Sequence, residues 1–304
     1  MKYLINRFFY RLKNDGVFAT LRFIWGFITK KNSKINLDEI NISSKENMDQ
    51  LFLIFGTDKG KLDGKKTYYK ICRNSESRHQ FKNYREWVLR KNIYDYNYEM
   101  GQNFVSIYEK FFEPIKDKNL NILEIGVANG HSHAAWYKYF TNSNIYGIDI
   151  RDKKSLLYSG KRLFYYQLDC TNINEVKKFK NNNKNLSFDI IIDDSLHNYQ
   201  GFIGNLNNFF PLLKNGGYYF LEDFATSDNR LIRQREFNKK NGKSMQLHNL
   251  NMKEIFEFLS NREIFQSDYF SKNHQVFLHK NVKKIEKFYL EFPESSLALL
   301  TKND

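Results

Sequence analysis

Five apolar runs in this chain end in acids, and that regularity is where chemistry could be carried. Ile122-Leu123 leads into Glu124, Tyr146–Ile148 into Asp149, Leu163–Leu168 into Asp169, Phe188–Ile192 into Asp193-Asp194, and Tyr218–Leu221 into Glu222-Asp223. His197 stands three residues past Asp194. If the runs are parallel strands, their carboxylates line one sheet edge, where ligands of open α/β sheets collect. Gly126 and Gly130 let the backbone approach a ligand closely, and Asp149 is placed to accept hydrogen bonds from a ribose. Each feature alone has a plainer explanation. The glycines fit any strand–helix turn, the acids could cap helices or pair with basic loops, and a lone histidine is more often a loop residue than a base.

The elements that must hold these residues follow from periodicity. Asn121–Asp149 reads as strand, glycine-bearing turn, helix and strand. Leu163–Leu168 is a third strand, Asn174–Lys180 a helix, and Phe188–Asp193 a fourth strand apolar enough to be buried on both faces. Gly201–Leu213 is expected to be a helix stopped by Asn215-Gly216-Gly217, followed by a fifth strand at Tyr218–Leu221. Met252–Ser260 reads as a helix, and Val276–His279, Lys287–Phe292 and Leu297–Thr301 as closing strands, the last two an antiparallel pair around Pro293. Upstream, Asn47 or Asp49 could cap a helix leading into FGTDKG at 55–60. Phe104, Ile107, Tyr108, Phe111 and Phe112 share a helical face that Pro114 ends. The expected organisation is a pair of basic amphipathic helices over 1–34, a helical and loop region over 35–115 covering the active site, and a Rossmann-like domain over 116–304. The regular alternation argues for one mostly parallel sheet.

Composition narrows the partners. The 304 residues carry a formal charge of +14, although abundant Lys and Asn with only 3 prolines suggest an AT-rich bacterial genome, which inflates lysine. The charge favours anionic partners such as phosphates, nucleotides or a membrane surface. Two cysteines, Cys72 and Cys170, provide neither a disulfide framework nor zinc-ligand spacing. No cleavable signal is convincing and no uninterrupted apolar run is long enough to span a bilayer, so the cytoplasm is the expected location. Residues 1–34 carry eight basic residues against Asp15, interleaved with Phe8, Phe9, Phe18, Phe23, Trp25 and Phe27. Such helices could lie on the anionic inner face of the membrane or pack on protein, in a homo-oligomer for example, and both readings stand. The run from Arg230 to Lys243 could grip a diphosphate or be a solvated loop.

The combination of LEIGVANG at 123–130, YGID at 146–149, DIIIDDSLH at 189–197 and FLED at 220–223 resembles the class I S-adenosylmethionine-dependent methyltransferases. Within them it is most similar to the metal-dependent sugar O-methyltransferases of macrolide and bacterial polysaccharide pathways, and FGTDKG also resembles a segment of that group. The resemblance runs from about residue 51 to the C-terminus and implies a Rossmann-like α/β fold, a mostly parallel seven-stranded sheet flanked by helices with an α-rich N-terminal extension. It implies a cofactor site for S-adenosyl-L-methionine formed by Glu124, Gly126, Asn129, Gly130, Asp149, Asp169, Asp193 and Thr57. It implies Mg²⁺ or Mn²⁺ on Asp194, Glu222 and Asp223, and His197 as general base, with Asp194 catalytic beside it. Ala128 stands where many relatives have a glycine, a tolerated variation, and Ser195-Leu196 departs from the usual turn before the histidine.

The chemistry is consistent with those roles. A sugar hydroxyl must lose its proton as it attacks a sulfonium methyl, and a chelated cation lowers that hydroxyl's pKa. Oxygen ligands suit magnesium or manganese. A neutral imidazole can accept the proton. The implied function is methylation of a sugar hydroxyl, on a nucleotide-activated sugar or a glycan destined for capsule or lipooligosaccharide. Two rivals remain: a nucleic-acid methyltransferase, disfavoured because no Asn/Asp-Pro-Pro-Tyr-type motif occurs, and a non-catalytic membrane-associated scaffold with a retained cofactor pocket.

Overall fold

A computed structural model describes residues 34–42, 46–63, 99–226, 250–267, 269–291 and 295–304. The chain divides into Met1–Ile35, almost wholly outside those residues, and Asn36–Asp304, which holds the sheet and its helices. The basic N-terminal segment, residues 64–98 with Cys72, the Arg230–Lys243 run and Pro293 lie outside the described residues. Among the described residues no helix is long and apolar enough to cross a membrane.

Among the described residues two α-helices precede the sheet, α1 (Met48–Phe55) and α2 (Val105–Phe112). Then β1 (Asn121–Ile125), α3 (His131–Tyr139), β2 (Asn144–Asp149), β3 (Leu163–Gln167) and α4 (Ile173–Asn182) alternate. They are followed by β4 (Phe188–Asp193), α5 (Tyr199–Phe209), β5 (Leu213–Glu222), α6 (Met252–Asn261), α7 (Lys272–Asn281), β6 (Val282–Tyr289) and β7 (Ser296–Lys302). The strand order is β6-β7-β5-β4-β1-β2-β3. Pairing from β5 to β3 is parallel, and β7 runs antiparallel to both its neighbours. The central strands are apolar on both faces because helices cover both. Ile122, Ile190, Ile192, Phe220, Leu297 and Leu299 point to one cluster with α1, α2 and α3. Leu123, Ile125, Ile191, Tyr219, Leu221, Ala298 and Leu300 point to the other, with α4 to α7. The first cluster is dense in rings: Tyr108 stacks on Phe112 at 5.1 Å and meets Trp136 and Phe220 edge-on. It thereby fastens α1 and α2 to the sheet.

Two sequence expectations are corrected. Val276–His279 is not a strand but the centre of α7, which Ser271 caps and whose Leu278 and Gln275 are buried. Asn215-Gly216-Gly217 does not end a helix, because α5 stops at Phe209 and a single turn of 3-10 helix, Phe210–Leu212, follows. The three residues lie within β5, where pairing with β4 jumps from Leu213 to Tyr218 and Gly216 takes φ +70°. They form a bulge. Asn47 caps α1 in a reciprocal capping box with Gln50, and Asp49 instead accepts the Lys61 N–H at 2.7 Å.

Candidate active site

The parallel strands end together, and their loops hold one another in place. Gly126 has φ +94°, and a Cβ there would lie 2.0 Å from the Asp194 carbonyl oxygen. The glycine is needed because the loop after β1 lies directly against the loop after β4. The Asp194 N–H donates to the Ile125 carbonyl at 2.9 Å, tightening the same contact. Asp149, at the tip of β2, accepts the Ala128 N–H at 2.7 Å and the Arg151 N–H at 2.9 Å, so its carboxylate organises the loops on either side. Ala128 takes φ +52°, a left-handed conformation that costs an alanine energy. Asp169 accepts from the Thr171 N–H at 2.9 Å and its hydroxyl at 2.6 Å.

Between these tips lies a cavity of about 550 Å³. Gly126, Asp149 and Asp169 line it at one side, and Asp194, Leu196 and His197 at the other. Ile150, 64% exposed, offers it an apolar surface, while burial pushes the Cys170 thiol far up and leaves it unreactive.

At the mouth stand the candidate reacting groups. His197 Nε2 is 3.3 Å from Asp194 Oδ1, and Nδ1 is 3.7 Å from Asp223 Oδ2. Burial opposes the imidazolium, but the hydrogen bond and charge of Asp194, with the charge of Asp223, outweigh it and raise the ring's pKa. His197 and Asp223 both hold positive φ, +42° and +55°. Such strain persists where the surroundings enforce it, commonly at functional sites. The Ser195 hydroxyl donates to Asp193 Oδ1 at 2.7 Å and accepts from Asn205 at 2.8 Å, which pins the unusual turn that presents His197.

Asp194, His197 and Asp223 each present a ligand atom within 4.8 Å of the others. His197 Nδ1 is buried without a hydrogen bond. The Asp194 and Asp223 carboxylates fit an oxygen-preferring cation such as Mg²⁺ or Mn²⁺, with His197 beside them as a nitrogen that such a cation does not require. Glu222, the third carboxylate expected there, is fully buried and otherwise engaged: it accepts from Tyr108 and pairs with Lys59, whose ammonium also lies 2.6 Å from Asp194 Oδ2. Burial raises the Glu222 pKa, and Asp194's charge adds to that. Burial also raises Asp223 to about 6. Gln102 donates to Asp223 at 3.3 Å.

The remaining expected positions divide by depth. Gly130 caps α3 with φ +86°, and Asn129 at the loop's outer edge accepts from Arg151 at 3.2 Å. Glu124 is buried beneath the loop, reached by Trp136 Nε1 at 3.4 Å and by Ser132, and burial lifts it to about 7. Asp193 turns away from the cavity into the interior, where Ser195, Asn205 and Tyr219 hold it and burial lifts it to about 6. Its hydrogen bonds support the turn. Thr57 is buried, its hydroxyl accepting the Lys59 N–H at 3.4 Å. Lys59, Tyr108 and Gln102 were not singled out from sequence as site residues. FGTDKG was the available signal, but nothing in local spacing shows that its lysine reaches residues 135 and 163 positions away.

The sheet order, with one antiparallel strand beside β5 and a ligand-sized cavity at the strand tips, defines a Rossmann-like class I methyltransferase fold. No family model matches the chain. Over 131 residues, 41% of its length, it is 30% identical to 8-demethyl-8-alpha-L-rhamnosyl tetracenomycin-C 2'-O-methyltransferase of Streptomyces olivaceus, of which the match covers 34%. It is likewise 30% identical over 132 residues, 41% of the chain, to L-olivosyl-oleandolide 3-O-methyltransferase of Streptomyces antibioticus, with 33% of that protein covered. The chain thus spans about a third of the curated relatives it matches. Among solved structures, the MycE methyltransferase of the mycinamycin biosynthetic pathway, in complex with Mg and SAH, aligns with TM-score 0.49 and 22% identity. That alignment covers 66% of this chain and 49% of the other.

Proposed function

We propose that this protein transfers the methyl group of S-adenosyl-L-methionine to a sugar hydroxyl, with a divalent cation bound beside the acceptor. The observation that carries the reading is His197 standing between Asp194 and Asp223 at the mouth of the cavity that Asp149 and Gly126 line. Similarity to proteins named as sugar O-methyltransferases supports the acceptor class.

The residues have separable tasks. Asp149 and Asp169, with the Gly126–Gly130 loop, bind the nucleoside and amino-acid parts of the methyl donor, and Ile150 offers an apolar face. Asp194 fixes the His197 tautomer by accepting from Nε2, which leaves Nδ1 as the basic nitrogen. Nδ1 takes the hydroxyl proton as the new oxygen–carbon bond forms and the sulfur–carbon bond breaks, giving the methyl ether and S-adenosyl-L-homocysteine. Asp194 and Asp223 would hold the cation, which when bound acidifies and orients the sugar oxygens. Glu222, the third carboxylate in the resemblance, borders the same site.

For the acceptor we favour a nucleotide-activated or glycan-linked sugar used in surface polysaccharide. The basic Arg230–Lys243 run and the basic N-terminal segment support an anionic substrate and work at the inner face of the cytoplasmic membrane. A screen of nucleotide sugars and oligosaccharides with isotopically labelled methyl donor, read by mass spectrometry, tests this. A labelled sugar is expected. Labelled RNA with no labelled carbohydrate would reject it.

A further inference from the structure

Lys59 is the most deeply buried lysine or arginine among the described residues. Its side chain is 3% exposed, and its ammonium bridges Asp194 Oδ2 at 2.6 Å and Glu222 Oε2. The loop that carries it is tied to the segment before α2 by backbone hydrogen bonds. The N–H groups of Gly101, Gln102, Asn103 and Val105 donate to the carbonyls of Lys61, Asp58, Gly60 and Lys59 at 2.7–3.2 Å. A Cβ on Gly101 would lie 2.3 Å from the Gly60 carbonyl oxygen, so the two segments touch backbone to backbone. The far oxygen of Glu222 is occupied by Tyr108. Glu222 is therefore held at both ends, while Asp194 divides its oxygens, one to Lys59 and one to His197.

Resting on the metal-assisted reading above, we propose that Lys59 is a positioning residue. Its fixed ammonium reserves Glu222 and the inner oxygen of Asp194, so that the divalent cation is left Asp223 and the outer oxygen of Asp194, which it must share with His197 Nε2, and is held loosely. The cation then binds against a like charge that shares one of its ligands, and in a buried setting such repulsion is little screened. A loose, exchangeable cation beside His197 follows from that competition.

Mn²⁺ binding, read by electron paramagnetic resonance of free Mn²⁺, tests this on the full chain, with calorimetric binding of S-adenosyl-L-homocysteine as the check on folding. Lys59→Met removes the competing charge and should tighten Mn²⁺ at least tenfold, and Lys59→Arg should restore weak binding. Glu222→Gln alone leaves the Lys59 charge uncompensated and should weaken Mn²⁺, whereas the charge-neutral double variant Lys59→Met/Glu222→Gln should bind Mn²⁺ at least as tightly as the unaltered protein, since Glu222 serves Lys59. Should Lys59→Met fail to fold, the double variant decides alone. Weaker Mn²⁺ binding in a folded Lys59→Met protein, or loss of binding in the double variant, overturns the proposal. No Mn²⁺ binding by the unaltered protein overturns both this proposal and the metal reading. The predicted shifts, with no sugar methylated, would sustain the role of Lys59 and reject the sugar-methylating function alone.

Discussion

Replacing Gly126 by alanine tests the packing of the two loops that build the cavity. The added Cβ would lie 2.0 Å from the Asp194 carbonyl oxygen, 2.7 Å from its carbon and 3.0 Å from the Ser195 Cα, against 3.4 Å or more for ordinary contact. All three neighbours are backbone atoms, so no side chain can swing aside. The residue's φ of +94° adds backbone strain of about 1–3 kcal/mol for a non-glycine residue. Forcing the loops apart adds about 1–3 kcal/mol more, as overpacking typically does. For a domain of this size, each kcal/mol lowers Tm by roughly 2–4 °C, so a loss of roughly 5–20 °C is expected. Because the displaced backbone carries Asp194 and leads to His197, affinity for S-adenosyl-L-homocysteine should also fall by more than tenfold. Gly204→Ala is the control: it lies within α5 with nothing inside 4 Å of the new Cβ, and should be neutral or slightly stabilising. Thermal melts and calorimetric titration of the three proteins decide. If Gly126→Ala melts with the control and binds equally well, the two loops do not pack as described.

Three further changes probe separate parts of the account. His197→Ala should leave cofactor affinity nearly unchanged and lower kcat at least ~100-fold, the usual worth of a general base, and a near-normal kcat would exclude that role. Asp149→Ala removes the acceptor of the Ala128 and Arg151 N–H groups and should raise the cofactor Kd roughly 10–100-fold, measured by calorimetry, since charged hydrogen bonds contribute about 1.5–3 kcal/mol. His133 is fully buried, and burial lowers its pKa from 6.5 to about 3. Below pH 6.5 the unfolded chain gains a proton that the folded state refuses, so this group's contribution to stability is present at neutral pH and is lost by about 1.4 kcal/mol per unit as pH falls toward 3. Glu124 and Asp193, raised by burial, act in the opposite sense, so the test is the difference from His133→Gln in urea unfolding between pH 7 and 5. Equal pH slopes in the two proteins would refute it.

The sheet was legible because strands covered on both faces must be apolar throughout, and each ended in an acid where the chain left the core. Ile190, Ile191 and Ile192 leave little alternative before Asp193-Asp194. The same logic misled at Val276–His279, whose short apolar run, Val276-Phe277-Leu278, serves a helix as well as a strand; the capping Ser271 was the better signal. Asn215-Gly216-Gly217 has the chemistry of a helix stop and of a bulge alike, and only pairing with β4 distinguishes them. The cluster of Asp194, His197 and Asp223 was readable because two adjacent strand tips deliver it. Lys59 and Tyr108 were not, since their roles arise from contacts across more than a hundred residues, and Tyr108 sat inconspicuously in an aromatic helical stripe. Asp193 shows the converse. The resemblance implied a cofactor contact there, yet strand alternation turns its side chain inward to Tyr219 and Asn205.

The most direct measurement is single-turnover transfer of a labelled methyl from S-adenosyl-L-methionine to a nucleotide sugar or glycan, with and without exhaustive removal of divalent cations. The account predicts label in a sugar methyl ether, lost on chelation, restored by Mg²⁺ or Mn²⁺, and nearly absent in His197→Ala. Undiminished transfer after chelation and in His197→Ala, or label appearing on nucleic acid instead of carbohydrate, would contradict it.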